Sequence, residues 1–134
     1  NYDIAMIKTK SLESNTCVKL QNEEIVYNNK FRIYFSKIKP NNNAKWIKLC
    51  YNVIELPFFV RPWKHGDEIK LQFGTKKLSR LFIDKKIPKD IRSEIPIITD
   101  KNDNILWVYD LAKSQSVKDS RENGEIYLVC EEII

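Results

Sequence analysis

Glycine is scarce in this chain: three residues in 134, at Gly66, Gly74 and Gly124. A glycine-rich phosphate loop needs several in close order, so that backbone amides can cradle an anion. A nucleotide site of that kind is therefore excluded, and the three isolated glycines read as turn markers. Cysteine is equally sparse. Cys17, Cys50 and Cys130 are widely spaced with no C-x-x-C, which argues against a disulfide framework and against a paired-ligand zinc site. Joining the three thiols to the single histidine, His65, lacks the same close spacing; buried reduced thiols are the better reading and no metal is expected. No apolar run reaches membrane-spanning length, and no basic start, apolar stretch and small-residue cleavage site marks a signal peptide. A cytoplasmic protein without a membrane partner is expected. No internal repeat or low-complexity linker divides the chain. No nucleophile–base pair or metal set occurs, so no catalytic residue is assigned.

What is present is enough for one domain. At 43% apolar and 11% aromatic residues, a chain of this length buries about two-thirds of its unfolded surface. The net charge is +5, with 18 lysines against five arginines, 18 isoleucines and 12 asparagines. An AT-rich genome yields that bias without functional cause, so distribution matters more than the total. Residues 61–92 hold ten Lys or Arg against four Asp or Glu, a net of +6, while the remaining 102 residues sum to −1. A basic excess confined to 32 residues is the footprint of a surface that meets phosphate; the alternative is a solvated charged helix.

Before residue 60 the pattern is β. "TCVKLQNEEIVY" and "KFRIYFSKI" are rich in β-branched and aromatic residues, and Phe31, Ile33 and Phe35 alternate with Arg32, Tyr34 and Ser36. The "NNK" between them signals a hairpin turn, and "KPNNNAK" (39–45) a polar loop. Pro57 and Pro62 divide "WIKLCYNVIELPFFVRPW" into two strands with a bend or bulge. After Gly74 the period changes. Thr75 is the expected N-cap of a helix in which Leu78, Leu81 and Phe82 share a face, with Lys76, Lys77 and Arg80 off it and Arg80 paired to Asp84. Pro88 restarts a second short helix, "PKDIRSE". "IPIITD" and "ILWVY" form a hairpin, and "GEIYLVCEEII" is a last strand. The expectation is mainly β (α+β): a barrel-like or sandwich β domain with two short helices inserted around residues 75–94.

Within the basic window, Gly66 marks the bend of "RPWKHGD" and Asp67 can accept bonds from backbone amides across it. A helix start at Thr75, Lys76 and Lys77 offers unpaired N–H groups plus two ammonium groups, an arrangement suited to a backbone phosphate. The ordered set Arg61, Gly66, Asp67, Lys76, Lys77, Leu78, Phe82, Ile83, Asp84, Lys86, Ile87, Pro88, Arg92, Pro96, Trp107 and Val108 resembles the C-terminal region of bacterial tRNA(Ile)-lysidine synthase, over residues 54–108. That resemblance implies a fold similar to a domain of the phenylalanyl-tRNA synthetase β subunit. The family's enzymes use ATP to adenylate the wobble cytidine of isoleucine tRNA and join free lysine to it. ATP and lysine belong to an N-terminal catalytic domain with a Ser-Gly-Gly-x-Asp-Ser loop, a string missing here. The chain is then a single C-terminal tRNA-binding region, residues 1–134, with leading strands over 1–53 and the family-like core over 54–134. It holds no cofactor, is not catalytic on its own, and has as partners isoleucine tRNA, through the acceptor arm, and its own enzyme's catalytic domain. Two loops depart from the family. "EIKLQFGT" is shorter, with one glycine rather than a proline and two glycines, and Tyr109–Ala112 replaces a Gly-x-Arg.

Lys76 and Lys77 are the leading candidates for phosphate contact. Arg61, Lys64, Arg80, Lys85, Lys86, Lys89 and Arg92 complete the candidate RNA-binding set. For Arg61 and Arg92, burial against Asp67 or Asp84 is an equal alternative. Gly66, Asp67, Gly74, Asp84, Pro88 and Trp107 are assigned structural roles. Trp107 is read as core, and Trp63 and His65 as loop residues beside the cations. A competing class is a protein-interaction module, and a neighbouring one is an RNA-binding domain of another tRNA-handling protein.

Overall fold

The structure, a computed structural model, describes residues 17–41, 44–50, 55–118 and 125–133. Gly124 and the Cys50 side chain lie outside the described residues. Three antiparallel sheets organise the described residues. The first has the order β1-β5-β8-β9-β10, from β1 (Val18–Leu20), β5 (Phe58–Arg61), β8 (Ile97–Thr99), β9 (Ile105–Val108) and β10 (Ala112–Lys113). The second has the order β2-β3-β11-β4, from β2 (Ile25–Tyr27), β3 (Phe31–Ser36), β4 (Lys45–Cys50) and β11 (Glu125–Glu132). The third is the hairpin of β6 (Glu68–Leu71) and β7 (Gly74–Lys77). Among the described residues there are three short helices: α1 (Leu78–Asp84), α2 (Lys89–Arg92) and α3 (Gln115–Lys118).

The strands sit where β-branched and aromatic residues alternate or run together. On β3, Phe31 and Ile33 are buried and Arg32 is exposed. The β2–β3 turn places Asn28 and Asn29 at φ 43° and 63°, the positive values a type I′ turn requires and that asparagine tolerates. β8 and β9, in contrast, are buried at every position. They form the middle layer. Ile98, Leu106 and Trp107 join Tyr27, Ile33, Ile47, Val60 and Leu128 in the core between the two large sheets. Ile97, Ile105 and Val108 face the other way, into a second core with Ile69, Leu78, Leu81 and Phe82. Strands covered on both faces read as continuous apolar runs, which "PIIT" and "ILWV" are. The register pairs Ile98 with Trp107 but Thr99 with Ile105, so Leu106 is the extra residue of a bulge.

The expectation of a mainly β domain holds, and of its two forms the layered one is observed rather than a closed barrel. The sheets are not closed; they are layers, with the β6–β7 hairpin and α1 forming the third. Pairing also joins the leading strands to the family-like core, since β1 pairs with β5, and β3 and β4 flank β11. Pro57 and Pro62 bracket β5 as expected, and Pro88 immediately precedes α2 with φ −61°. The helix α3 has no counterpart among the elements that periodicity predicts. Among the described residues no helix is long and apolar enough to cross a membrane.

Candidate nucleic-acid interface

The basic window builds most of the third layer, and two corrections begin at its helix. "GTKK" is strand β7, not a helix start: it pairs with β6 in the register Leu71–Gly74, Lys70–Thr75, Ile69–Lys76 and Glu68–Lys77. α1 begins at Leu78, Lys77 takes the cap position without a side-chain cap, and Thr75 caps nothing. The Leu78 N–H donates to the Asp67 carbonyl at 2.9 Å, so the first free amide of the helix is already satisfied, and Thr75, Lys76 and Lys77 contribute no helix-start amides. Leu78, Leu81 and Phe82 are buried on one face, as their spacing implies.

Adjacent strand residues point to opposite faces, which separates the two leading candidates. Lys76 lies on the face of the buried Ile69 and is drawn in, its Nζ 2.6 Å from Asp84 Oδ2. Lys77 lies on the exposed face. Arg80 pairs with Asp84 at 3.4 Å, one turn apart as expected. The hydrogen bond from Lys76, reinforced by the charges of Lys76 and Arg80, holds the Asp84 carboxyl below its ordinary value. Asp84 thus occupies two of the nine candidate cations.

Arg61 is not on the surface. Its Nη1 and Nη2 donate to Asp67 Oδ2 and Oδ1 at 3.0 Å each, with the side chains 9% and 6% exposed. Nη1 also donates to the Pro62 carbonyl at 2.9 Å, and Nε to Asp103 Oδ1 at 3.2 Å. Asp67 Oδ2 accepts the Lys64 backbone N–H at 2.8 Å, which closes the Gly66 bend. Burial works against the guanidinium charge, but the hydrogen bonds to Asp67 and the charges of Asp67 and Asp103 outweigh it, and the pKa moves upward. Such a fork-to-fork pair fixes β5 to the turn before β6 and keeps the guanidinium out of reach of a phosphate. Of the alternatives for Arg61, burial against Asp67 is the one observed. Lys64 Nζ reaches Asp103 Oδ2 at 3.6 Å. Asp103 lies 42 residues from Arg61, and local spacing carries no signal for it.

Arg92 is also engaged. Its Nε donates to the Ile87 carbonyl at 2.9 Å and its guanidinium stands 5.5 Å from the centre of the Phe82 ring. Trp63 meets the same ring edge-on at 5.2 Å, a packing role rather than a free loop position. His65 is exposed and Trp107 is core. Lys77, Lys85, Lys86 and Lys89 are exposed and make no ion pair with a described residue. The last three cluster at the α1–α2 junction, where Lys86 takes φ 59° after the helix ends. Of the basic set, the cations left open to a partner are therefore this junction and Lys77, mounted on the second core through Leu81, Phe82 and Ile87. Of the other assigned residues, Gly66 and Gly74 both take positive φ at turns.

A family model described as the TilS substrate C-terminal domain matches residues 58–130. The chain belongs to this family. It is 43% identical over 85 residues to the tRNA(Ile)-lysidine synthase of Bacillus subtilis, covering 62% of this chain and 18% of that protein. With the corresponding protein of Clostridioides difficile it shares 36% over 92 residues, 69% of this chain and 19% of the other. With the bifunctional protein TilS/HprT of Listeria monocytogenes the match is 34% over 113 residues, 81% and 17%. A crystal structure of a TILS C-terminal domain superposes with a TM-score of 0.71 at 28% identity, covering 89% of this chain and 99% of that one. The TilS-family chain thus spans under a fifth of the length of these three curated relatives.

Proposed function

We propose that this chain is the tRNA-gripping domain of a tRNA(Ile)-lysidine synthase, the ATP-dependent ligase that joins lysine to the wobble cytidine of isoleucine tRNA. In this reading it holds the acceptor arm, while ATP and lysine are bound and the ligation is carried out by an N-terminal catalytic domain of the same cytoplasmic enzyme. The observation that carries it is the concentration of lysines without an ion pair to a described residue, Lys77, Lys85, Lys86 and Lys89, on the layer built by the window that matches the family. Point charges on flexible stems position a polyanion without reading its sequence, which suits a domain that grips while another part of the enzyme selects the anticodon.

Binding of the chain to isoleucine tRNA, measured from about 50 to 300 mM salt, tests the reading. The affinity is expected to fall linearly on logarithmic axes, and Lys77→Ala, Lys85→Ala, Lys86→Ala and Lys89→Ala combined should reduce the slope by about one for each phosphate no longer neutralised. Lys76→Ala, whose ammonium is already held by Asp84, is expected to change the slope least. Binding that ignores salt removes the RNA reading and leaves the interaction module.

A further inference from the structure

The β6–β7 hairpin ends in a two-residue tip, Gln72 and Phe73, because Leu71 pairs with Gly74. Phe73 is 95% exposed, more than any other large hydrophobic side chain among the described residues. An aromatic ring held almost wholly in water contributes nothing to this fold, yet rings supply large contact energies wherever they find a flat partner. The surroundings of the tip indicate which partner. Its neighbours are mostly polar or charged: Gln72 and Gly74 beside it, then the cross-strand pair Lys70 and Thr75, while the apolar Leu71 packs against the second core. Lys77 projects from the same strand face as Thr75, opposite Glu68, and neither Lys70 nor Lys77 is ion-paired to a described residue.

A protein partner's apolar surface matches one ring poorly when lysines flank it. A nucleic-acid strand offers what the tip lacks: phosphates for the ammonium groups and a base face for the ring. Inside a duplex both faces of each base are already stacked, so a free face belongs to an unpaired nucleotide. We propose that Phe73 stacks on an unpaired base of the bound RNA while Lys70 and Lys77 hold its flanking phosphates. This rests on the RNA-binding reading above and adds a second contact to the lysine junction, one specific for single-stranded RNA.

The test uses two loop-free RNA duplexes of the same sequence, one blunt and one carrying a short 3′ overhang with 2-aminopurine, whose fluorescence is quenched by stacking. The chain is expected to prefer the overhang and to quench the probe. Phe73→Ala should lower affinity for the overhang about tenfold, abolish the quench and leave the blunt duplex unaffected; Phe73→Trp should retain both preference and quench. Because the ring is exposed, neither change threatens folding, which circular dichroism verifies. Salt-dependent binding to both RNAs that Phe73→Ala does not alter overturns the stacking contact and leaves the RNA reading standing. Absence of binding to either RNA overturns both. A Phe73→Ala chain that keeps its RNA affinities but no longer associates with the rest of its enzyme identifies the tip as a protein contact and also overturns the proposal.

Discussion

Arg61 carries a full charge where water scarcely reaches, and its neutraliser is six residues away across a bend. The pair is half visible in the sequence. "RPWKHGD" places an arginine, a glycine bend and an aspartate together, but whether the arginine turns inward depends on which side of β5 is covered. Val60 belongs to the core between the large sheets, so Arg61, its neighbour, faces the layer that carries Asp67. Asp103 is invisible because only the β8–β9 hairpin brings it there. Removing one member of a buried pair strands the other charge. Asp67→Asn is therefore expected to destabilise the chain by about 3–5 kcal/mol, read as a shift of the urea unfolding midpoint with an unchanged slope. Affinity for tRNA of the fraction that remains folded should be unaltered, since the Arg61 guanidinium is turned away from solvent.

At the scale of elements, β7 and α1 show how far periodicity reaches. The apolar positions of α1 are legible because helical spacing is local. Its start is not: Thr75 reads as a cap three residues before the helix begins, while what makes "GTKK" a strand is its pairing with β6, which no local signal records. The consequence falls on the site, where one leading lysine turns into an ion pair and the other stays in solvent. Gly74 anchors the hairpin at φ +132°, with open space where a Cβ would sit. Gly74→Ala meets no clash, only backbone strain, and is expected to cost about 1–3 kcal/mol. Faster amide exchange confined to residues 68–77, with the exchange of β11 unchanged, is the pattern that identifies a local effect.

For the whole molecule, alternation predicts strands but not their neighbours. A barrel and a stack of open sheets make the same demand on each strand, an apolar face, and differ only in which edges meet. The two-sided burial of β8 and β9 is the signal that distinguishes them, present as uninterrupted apolar runs. Layering also separates stability from function. Phe82→Ala in the second core should cost about 3–5 kcal/mol and Ile47→Ala in the first about 2–5 kcal/mol; both residues are essentially inaccessible to water. Compared at temperatures equally far below their melting midpoints, only Phe82→Ala should weaken tRNA binding, because it loosens the platform of α1 and Arg92 rather than the sheets behind it.

The position of β11 sets an order of events at the ribosome. It is the strand formed by residues 125–132, and it lies between β3 and β4, which touch it and not each other. Until that segment leaves the exit tunnel, two earlier strands wait with bare edges, so a message truncated before the codon for residue 125 yields a nascent chain whose second sheet has no middle. A chain cut short there exposes the edges of β3 and β4, while the hairpin layer and the second core, which take no residue from β11, keep all their parts.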